Sequence, residues 1–222
     1  MIKAIVFDFD GLIIDTETPA YEAFREVFRE HGAELALETY AQCIGTTFAV
    51  FNPINYLEEC LGRSVDREAV DARVNARHRR LLEQASLRPG VRDYLEAGRS
   101  AGLRIGLATS SGDAWIDPYL ERFKLRGYFD SITTANQVAN VKPDPELYLK
   151  SLAKLGVNGS EAVAFEDSLN GLNAAKAAGL HCVVVPNPST RHFPFRDHDL
   201  MLGSMEEMSL ADVIRRIGNQ GA

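Results

Sequence analysis

Cysteine is scarce in this chain, and the three residues present form no pattern. Cys43, Cys60 and Cys182 are odd in number, widely spaced and outside any C-x-x-C arrangement, which argues against a disulfide framework or a zinc site. Long apolar runs are also missing. The opening stretch from Ile2 to Phe7 runs directly into acids and is too short for a signal-peptide core or a membrane span. The expected setting is therefore cytoplasmic, with no membrane partner. Positive charge is in the minority: 24 Lys and Arg face 31 Asp and Glu, a formal net charge of −7. That balance argues against a sequence-independent nucleic-acid binder, whose affinity rests on clustered cations. The 222 residues, 45% hydrophobic, carry no internal repeat, and their number fits one generous domain or a domain with a smaller one inserted.

What is present begins with a buried strand, Ile2-Lys3-Ala4-Ile5-Val6-Phe7. After Asp15 the pattern turns helical: Tyr21, Phe24, Val27 and Phe28 recur at helical spacing, and Gly32 offers a stop. Helical signals continue through about Thr47–Leu61 and Asp66–Leu82, with Cys43-Ile44-Gly45 as an interruption and no convincing strand before Ser86. From Leu87 onward short apolar runs alternate again with helical stretches, the signature of βαβ units and a parallel sheet. Strands are expected at Leu103–Ala108, Ser131–Thr133, Ala162–Phe165, His181–Val185 and Leu200–Leu202, and helices across 112–124, 145–155 and 169–178. The fold class expected is α/β. A Rossmann-like parallel-sheet core of residues 1–15 and 86–222 carries an inserted all-helical cap of residues 16–85.

The strand ends carry the chemistry. Asp8 and Asp10 leave the first strand two residues apart, and in open α/β sheets ligands bind outside the carboxyl ends of the strands. Thr109-Ser110-Ser111 ends a second strand, where free N–H groups of a following helix favour a phosphate. Ser110 or Ser111 would equally serve to cap that helix, with Asp113 giving Ser110 a capping-box spacing. Glu166-Asp167-Ser168 ends a later strand and brings a second pair of acids. Four carboxylates around one crevice call for a cation, and Mg²⁺ suits a site of few carboxylates, retained waters and a phosphate oxygen. Lys142, in Val141-Lys142-Pro143-Asp144, is the cation placed in a loop between core elements.

Asp8-x-Asp10-Gly11, Thr109-Ser110, Lys142-Pro143 and Glu166-Asp167-Ser168, in that order along essentially the whole chain, resemble the four motifs of the haloacid dehalogenase superfamily. The likeness is to its phosphatase and phosphomutase branch, the β-phosphoglucomutase-like hydrolases with a helical cap. The resemblance implies that Asp8 is the nucleophile that forms an aspartyl-phosphate and that Asp10 is the acid and base. It implies Mg²⁺ held by Asp8, the Asp10 carbonyl and Asp167, with Glu166 as a direct or outer partner. Thr109, Ser110 and Lys142 would hold the phosphoryl group. Dehalogenases proper need no metal and lack the second acid, so Asp10 beside Glu166-Asp167 points to phosphoryl transfer. Mutase members carry a His shortly after the Asp15-Thr16 stretch and an Arg after the cap's Gly-x-x position. Here those places read Thr18-Pro19-Ala20-Tyr21 and Gly45-Thr46-Thr47-Phe48, which favours hydrolysis of a small phosphorylated metabolite over a phosphomutase. A non-catalytic phosphoryl-accepting regulatory module shares an acidic pocket and a Lys but has no inserted cap.

Further candidates lie in the cap and, for Trp115, in the helix after Thr109. Arg73, Arg77 and Arg80, with His78 and Arg79 beside them, give one helix a basic face. That face reads either as solvated charge paired with Glu68 and Asp71 or as a seat for a second anionic group of the substrate. Tyr21, Phe24 and Trp115 are aromatics for the pocket or for core contact. The expected assembly is a monomer or weak homo-oligomer.

Overall fold

The computed structural model describes residues 1–44 and 51–220. Six strands, β1 (Ala4–Phe7), β2 (Arg104–Ala108), β3 (Ser131–Thr133), β4 (Ala162–Glu166), β5 (His181–Val184) and β6 (Leu200–Met201), form one sheet. All pairings are parallel, and the order is β3-β2-β1-β4-β5-β6. This is a doubly wound order whose direction reverses between β1 and β4, the place where such sheets open a crevice.

Alternation within the strands sorts the two faces by size. Ile5, Phe7, Ile105, Leu107, Val163 and Phe165 point to one side, where α5 (Val91–Ser100), α6 (Asp113–Arg122) and α9 (Leu210–Gln220) cover them. Ala4, Val6, Ala108, Ala162 and Ala164 point to the other, where small side chains let α7 (Glu146–Leu155) and α8 (Leu169–Ala177) sit close. Phe7 and Phe165, side by side in register, stack with ring centroids 5.1 Å apart. Each fully buried phenylalanine of this kind contributes about 1.5–3 kcal/mol by leaving water.

Between β1 and α5 the described residues hold no strand but four helices: α1 (Glu17–Glu30), α2 (Leu37–Tyr40), α3 (Pro53–Leu61) and α4 (Arg67–Leu82). They enclose a hydrophobic cluster of their own, built on Phe24, Val27, Phe28, Tyr40, Leu57, Val70 and Val74. The helix expected from about Thr47 begins at Pro53, capped by Asn52, and its earlier part lies outside the described residues. The chain leaves the sheet region and returns to it at adjacent points, Ile14 bridging Leu87 and the Arg88 N–H donating to the Ile13 carbonyl at 2.9 Å. No helix among the described residues is long and apolar enough to cross a membrane.

Candidate active site

Register places the acids. Phe7 pairs with Phe165, so the next residues, Asp8 and Glu166, emerge level with each other at the switch between β1 and β4. The Asp8 N–H donates to the Phe165 carbonyl at 3.0 Å, which holds the first acid against its neighbouring strand. Lys142 approaches from the loop before α7. Its ammonium donates to Asp8 Oδ1 and, at 2.7 Å, to Glu166 Oε1, and all three side chains are buried. Tyr148 of α7 donates its hydroxyl to the same Glu166 oxygen and lies under the ammonium, 5.1 Å from ring centroid to Nζ.

One buried cation does not neutralise this group. Asp8 is pushed up to about 8, first by burial and then by Glu166, with Lys142 opposing. Asp167 is raised well above the usual carboxylate range by burial and by the charges of Asp8 and Glu166. Lys142 moves upward because the two acids on it outweigh the cost of burying its charge. The arrangement is electron-rich and short of positive charge.

The donor set fits Mg²⁺. Oxygens of Asp8, Glu166 and Asp167 lie within 4.8 Å of one another, and buried Glu166 Oε2 has no hydrogen-bond partner among the described residues. Two glycines make room. Gly11 has φ +78°, and a Cβ there would stand 2.2 Å from Asp167 Oδ2; a Cβ on Gly171 would stand 1.9 Å from Glu166 Oε2. Asp167 is held by Asn187, whose Nδ2 donates to Oδ2 at 2.6 Å.

Asp10 stands apart from these acids. The expected ring of four carboxylates is three convergent ones and one that turns away, because Asp10 finds three donors of its own. Thr16 Oγ1 and Trp115 Nε1 each donate to Oδ1 at 2.8 Å, and Ser111 Oγ donates to Oδ2 at 2.6 Å. The Asp10 side chain is not among the acids whose oxygens converge. The hydroxyl segment after β2 also departs from helix capping: the N-cap of α6 is Gly112, with no side-chain cap. Thr109 Oγ1 accepts from the Ser111 N–H at 3.0 Å, and buried Ser110 Oγ has no partner among the described residues. Ser110 is left free to meet a ligand oxygen.

Asp8, Asp10, Thr109, Ser110 and Lys142 all line one cavity of about 200 Å³, whose opposite wall comes from Ala20, Tyr40, Cys43 and His78 of the helical segment. A larger space of about 770 Å³ beside Arg88 and Pro186 is lined by none of Asp8, Asp10, Thr109, Ser110 and Lys142. Of the basic face of α4, two arginines are turned to α1: Arg77 pairs with Glu26 at 3.1 Å and with Glu30, and Arg73 lies 3.7 Å from Glu30. The expected pairing partners, Glu68 and Asp71, are not the ones used. Phe24 packs in the cluster of the helical segment, whereas Trp115 reaches Asp10.

Several participants had no signal in the sequence. Arg88 donates to the carbonyls of Gly11, Val185 and Pro186 at 2.6 to 2.8 Å, tying together the loops that carry Asp10 and Asn187. Tyr148 sits at ordinary helical spacing, and Asn187 lies in a Pro-rich loop. Only the distance in space from Glu166 and Asp167 marks them. His78, expected only as part of the basic run, lines the cavity.

The model of the haloacid dehalogenase-like hydrolase family matches residues 5–185. YhcW of Bacillus subtilis (strain 168), provisionally named a phosphatase, is 46% identical over 220 residues, 99% of this chain and 100% of that one. Hexitol phosphatase B of Escherichia coli (strain K12) is 34% identical over 216 residues, covering 96% and 97% of the two chains. Among solved structures, CbbY from Rhodobacter sphaeroides in complex with phosphate superposes with a TM-score of 0.73 at 34% identity, over 95% of this chain and 98% of that one.

Proposed function

The chain belongs to the haloacid dehalogenase-like hydrolases, in their phosphatase and β-phosphoglucomutase-like branch, and is a phosphoric monoester hydrolase; on that premise we propose that it is a Mg²⁺-dependent phosphatase of small phosphorylated sugars working through an aspartyl-phosphate. The carrying observation is the pair of environments: Asp8 converges with Glu166 and Asp167 and shares Lys142 with Glu166, while Asp10, two residues on, has separate donors. Two carboxylates whose surroundings differ this much take different roles.

An Asp8 oxygen attacks phosphorus as the ester P–O bond breaks, and Asp10 gives a proton to the departing alkoxide. Asp10 then takes a proton from water as that water attacks the phosphoryl group, releasing phosphate and restoring Asp8. Lys142 and the hydroxyls of Thr109 and Ser110 meet the phosphoryl oxygens where negative charge is spread. Glu166, with Tyr148 and Lys142 on it, holds the ammonium in line with Asp8. Asp8, Asp167 and the Asp10 carbonyl, with Glu166, would hold Mg²⁺, which when bound offsets charge on the acids and the phosphoryl group.

A sugar is supported by the likeness to hexitol phosphatase B and by the wall opposite the acids, where Tyr40 and His78 supply polar groups. Of the Thr18–Tyr21 stretch, the side chain lining the cavity is Ala20, a methyl with no acid–base capacity, which supports hydrolysis over transfer to a sugar hydroxyl. The test is phosphate release from a panel of sugar and polyol phosphates with MgCl₂, with EDTA, and with Asp8→Asn. Release that needs Mg²⁺ and disappears in the Asn variant is expected. Unchanged turnover in that variant, or isomerisation of a sugar phosphate without release, would defeat the reading.

A further inference from the structure

Two of the three donors on Asp10 are in turn held by one residue of the helical segment. His78 of α4 donates from Nε2 to the Thr16 carbonyl at 3.2 Å, and its ring lies on that of Trp115, centroids 5.6 Å apart and inclined by 30°. Thr16 and Trp115 are the residues that donate to Asp10 Oδ1. Burial lowers the His78 pKa, which suits a neutral ring donating from Nε2. Trp115 also meets Tyr119, edge-on with ring centroids 5.7 Å apart.

We propose that Trp115 is a positioning residue for Asp10 and that His78, by seating both Trp115 and the Thr16 carbonyl, makes that positioning depend on the helical segment lying over the cavity. This inference rests on the proposed role of Asp10 as proton donor. Indole is well suited to the task. Its N–H donates and never accepts, so it fixes which Asp10 oxygen is engaged without competing for the proton. With Oδ1 occupied from two sides, the Asp10 carboxylate is held in one orientation, and Oδ2, whose partner is the rotatable hydroxyl of Ser111, is the oxygen left to exchange a proton with the leaving group. If α4 moves away, the ring loses its backing and the Thr16 carbonyl its donor, and both contacts on Oδ1 loosen together. Proton delivery is thereby confined to the covered cavity.

The leaving group supplies the test. An alkyl alkoxide needs a proton as it departs, whereas p-nitrophenolate leaves without one. Trp115→Phe keeps the ring and removes the N–H. In kcat/KM, which reports the steps up to leaving-group departure, this variant is expected to lose at least tenfold more on glucose 6-phosphate or sorbitol 6-phosphate, whichever the wild type prefers, than on p-nitrophenyl phosphate. His78→Ala is expected to lose in the same selective direction. Because Trp115 is the sole tryptophan, its emission in His78→Ala is also expected to shift to longer wavelength as the indole becomes wetter. Equal losses on both ester types with either variant, or unaltered emission in His78→Ala, would overturn the inference while the phosphatase reading stands. A wild type inactive on every ester would overturn both. Far-ultraviolet circular dichroism and melting of each variant separate these outcomes from misfolding, and Trp115→His, which restores a ring N–H, is expected to recover part of the lost selectivity.

Discussion

Glu166 is the most constrained side chain of the site, and its constraint comes from three directions. Lys142 and Tyr148 occupy Oε1, and Gly171 leaves room for Oε2 only because it has no side chain. Gly171→Ala would place a methyl carbon 1.9 Å from Oε2. The carboxylate is not a free end that swings aside, so the methyl must push it off the ammonium or displace the start of α8. The expected result is a weakened apparent Mg²⁺ affinity and a turnover reduced by about 10²-fold, of the size a 1 Å misplacement brings, with a stability loss of about 1–3 kcal/mol from overpacking. Mg²⁺ titration of activity beside a melting curve checks it, and a variant with wild-type Mg²⁺ dependence would show that the site yields more easily than the packing indicates. At this scale the sequence made visible the residues whose type betrays them: acids and a lysine at strand ends and in a core loop. It hid Tyr148, Asn187 and Arg88. A tyrosine on an apolar helical stripe, an asparagine in a proline-rich loop and an arginine before Pro89-Gly90 look alike whether or not they touch a catalytic group.

At the scale of elements, periodicity carried nearly all the information. Strand positions emerged because buried parallel strands are continuous apolar runs, and their order along the chain put Asp8, Thr109 and Glu166 on one edge before any pairing was known. Helix starts were harder to read. Serines, favoured caps, precede both α6 and α8. Yet the N-cap of α6 is Gly112, with Ser111 drawn off to Asp10, while Ser168 does cap α8 by accepting from the Gly171 N–H at 3.1 Å. A hydroxyl has one conformation at a time, and at α6 a carboxylate competes for it successfully. Ser168→Ala therefore removes a genuine cap. It is expected to lower stability by about 1 kcal/mol, or about 2–4 °C in melting temperature for a chain of this size. Ser111→Ala removes no cap and is expected to melt closer to wild type than Ser168→Ala, because water in the cavity can replace its hydroxyl at Asp10 Oδ2. Equal melting losses in the two variants would refute this division of roles.

For the molecule as a whole, the concentration of buried acids means that stability, pH and metal are linked. Asp8 rises from 3.8 to about 8, and Asp167 also rises. A carboxyl whose folded pKa lies above its unfolded one binds its proton more tightly when folded. The stabilisation this brings is complete below the unfolded pKa and is lost as pH climbs through the folded one. For Asp8 that window runs from about pH 4 to about pH 8. EDTA-treated protein should thus melt at progressively lower temperature from pH 5.5 to pH 8, by at most about 1.4 kcal/mol per pH unit for each group involved. A cation competes with these protons for the same oxygens, so Mg²⁺ should bind more tightly at pH 8 than at pH 5.5. At a concentration 100 times its dissociation constant it adds about 2.7 kcal/mol, or roughly 5–10 °C. The rise in melting temperature on adding MgCl₂ should accordingly grow with pH and shrink in Asp8→Asn, which carries neither the proton nor the charge. A Mg²⁺ increment that is the same at both pH values, or intact in Asp8→Asn, would mean that the three convergent acids are balanced by Lys142 and Arg88 and that the cation binds elsewhere.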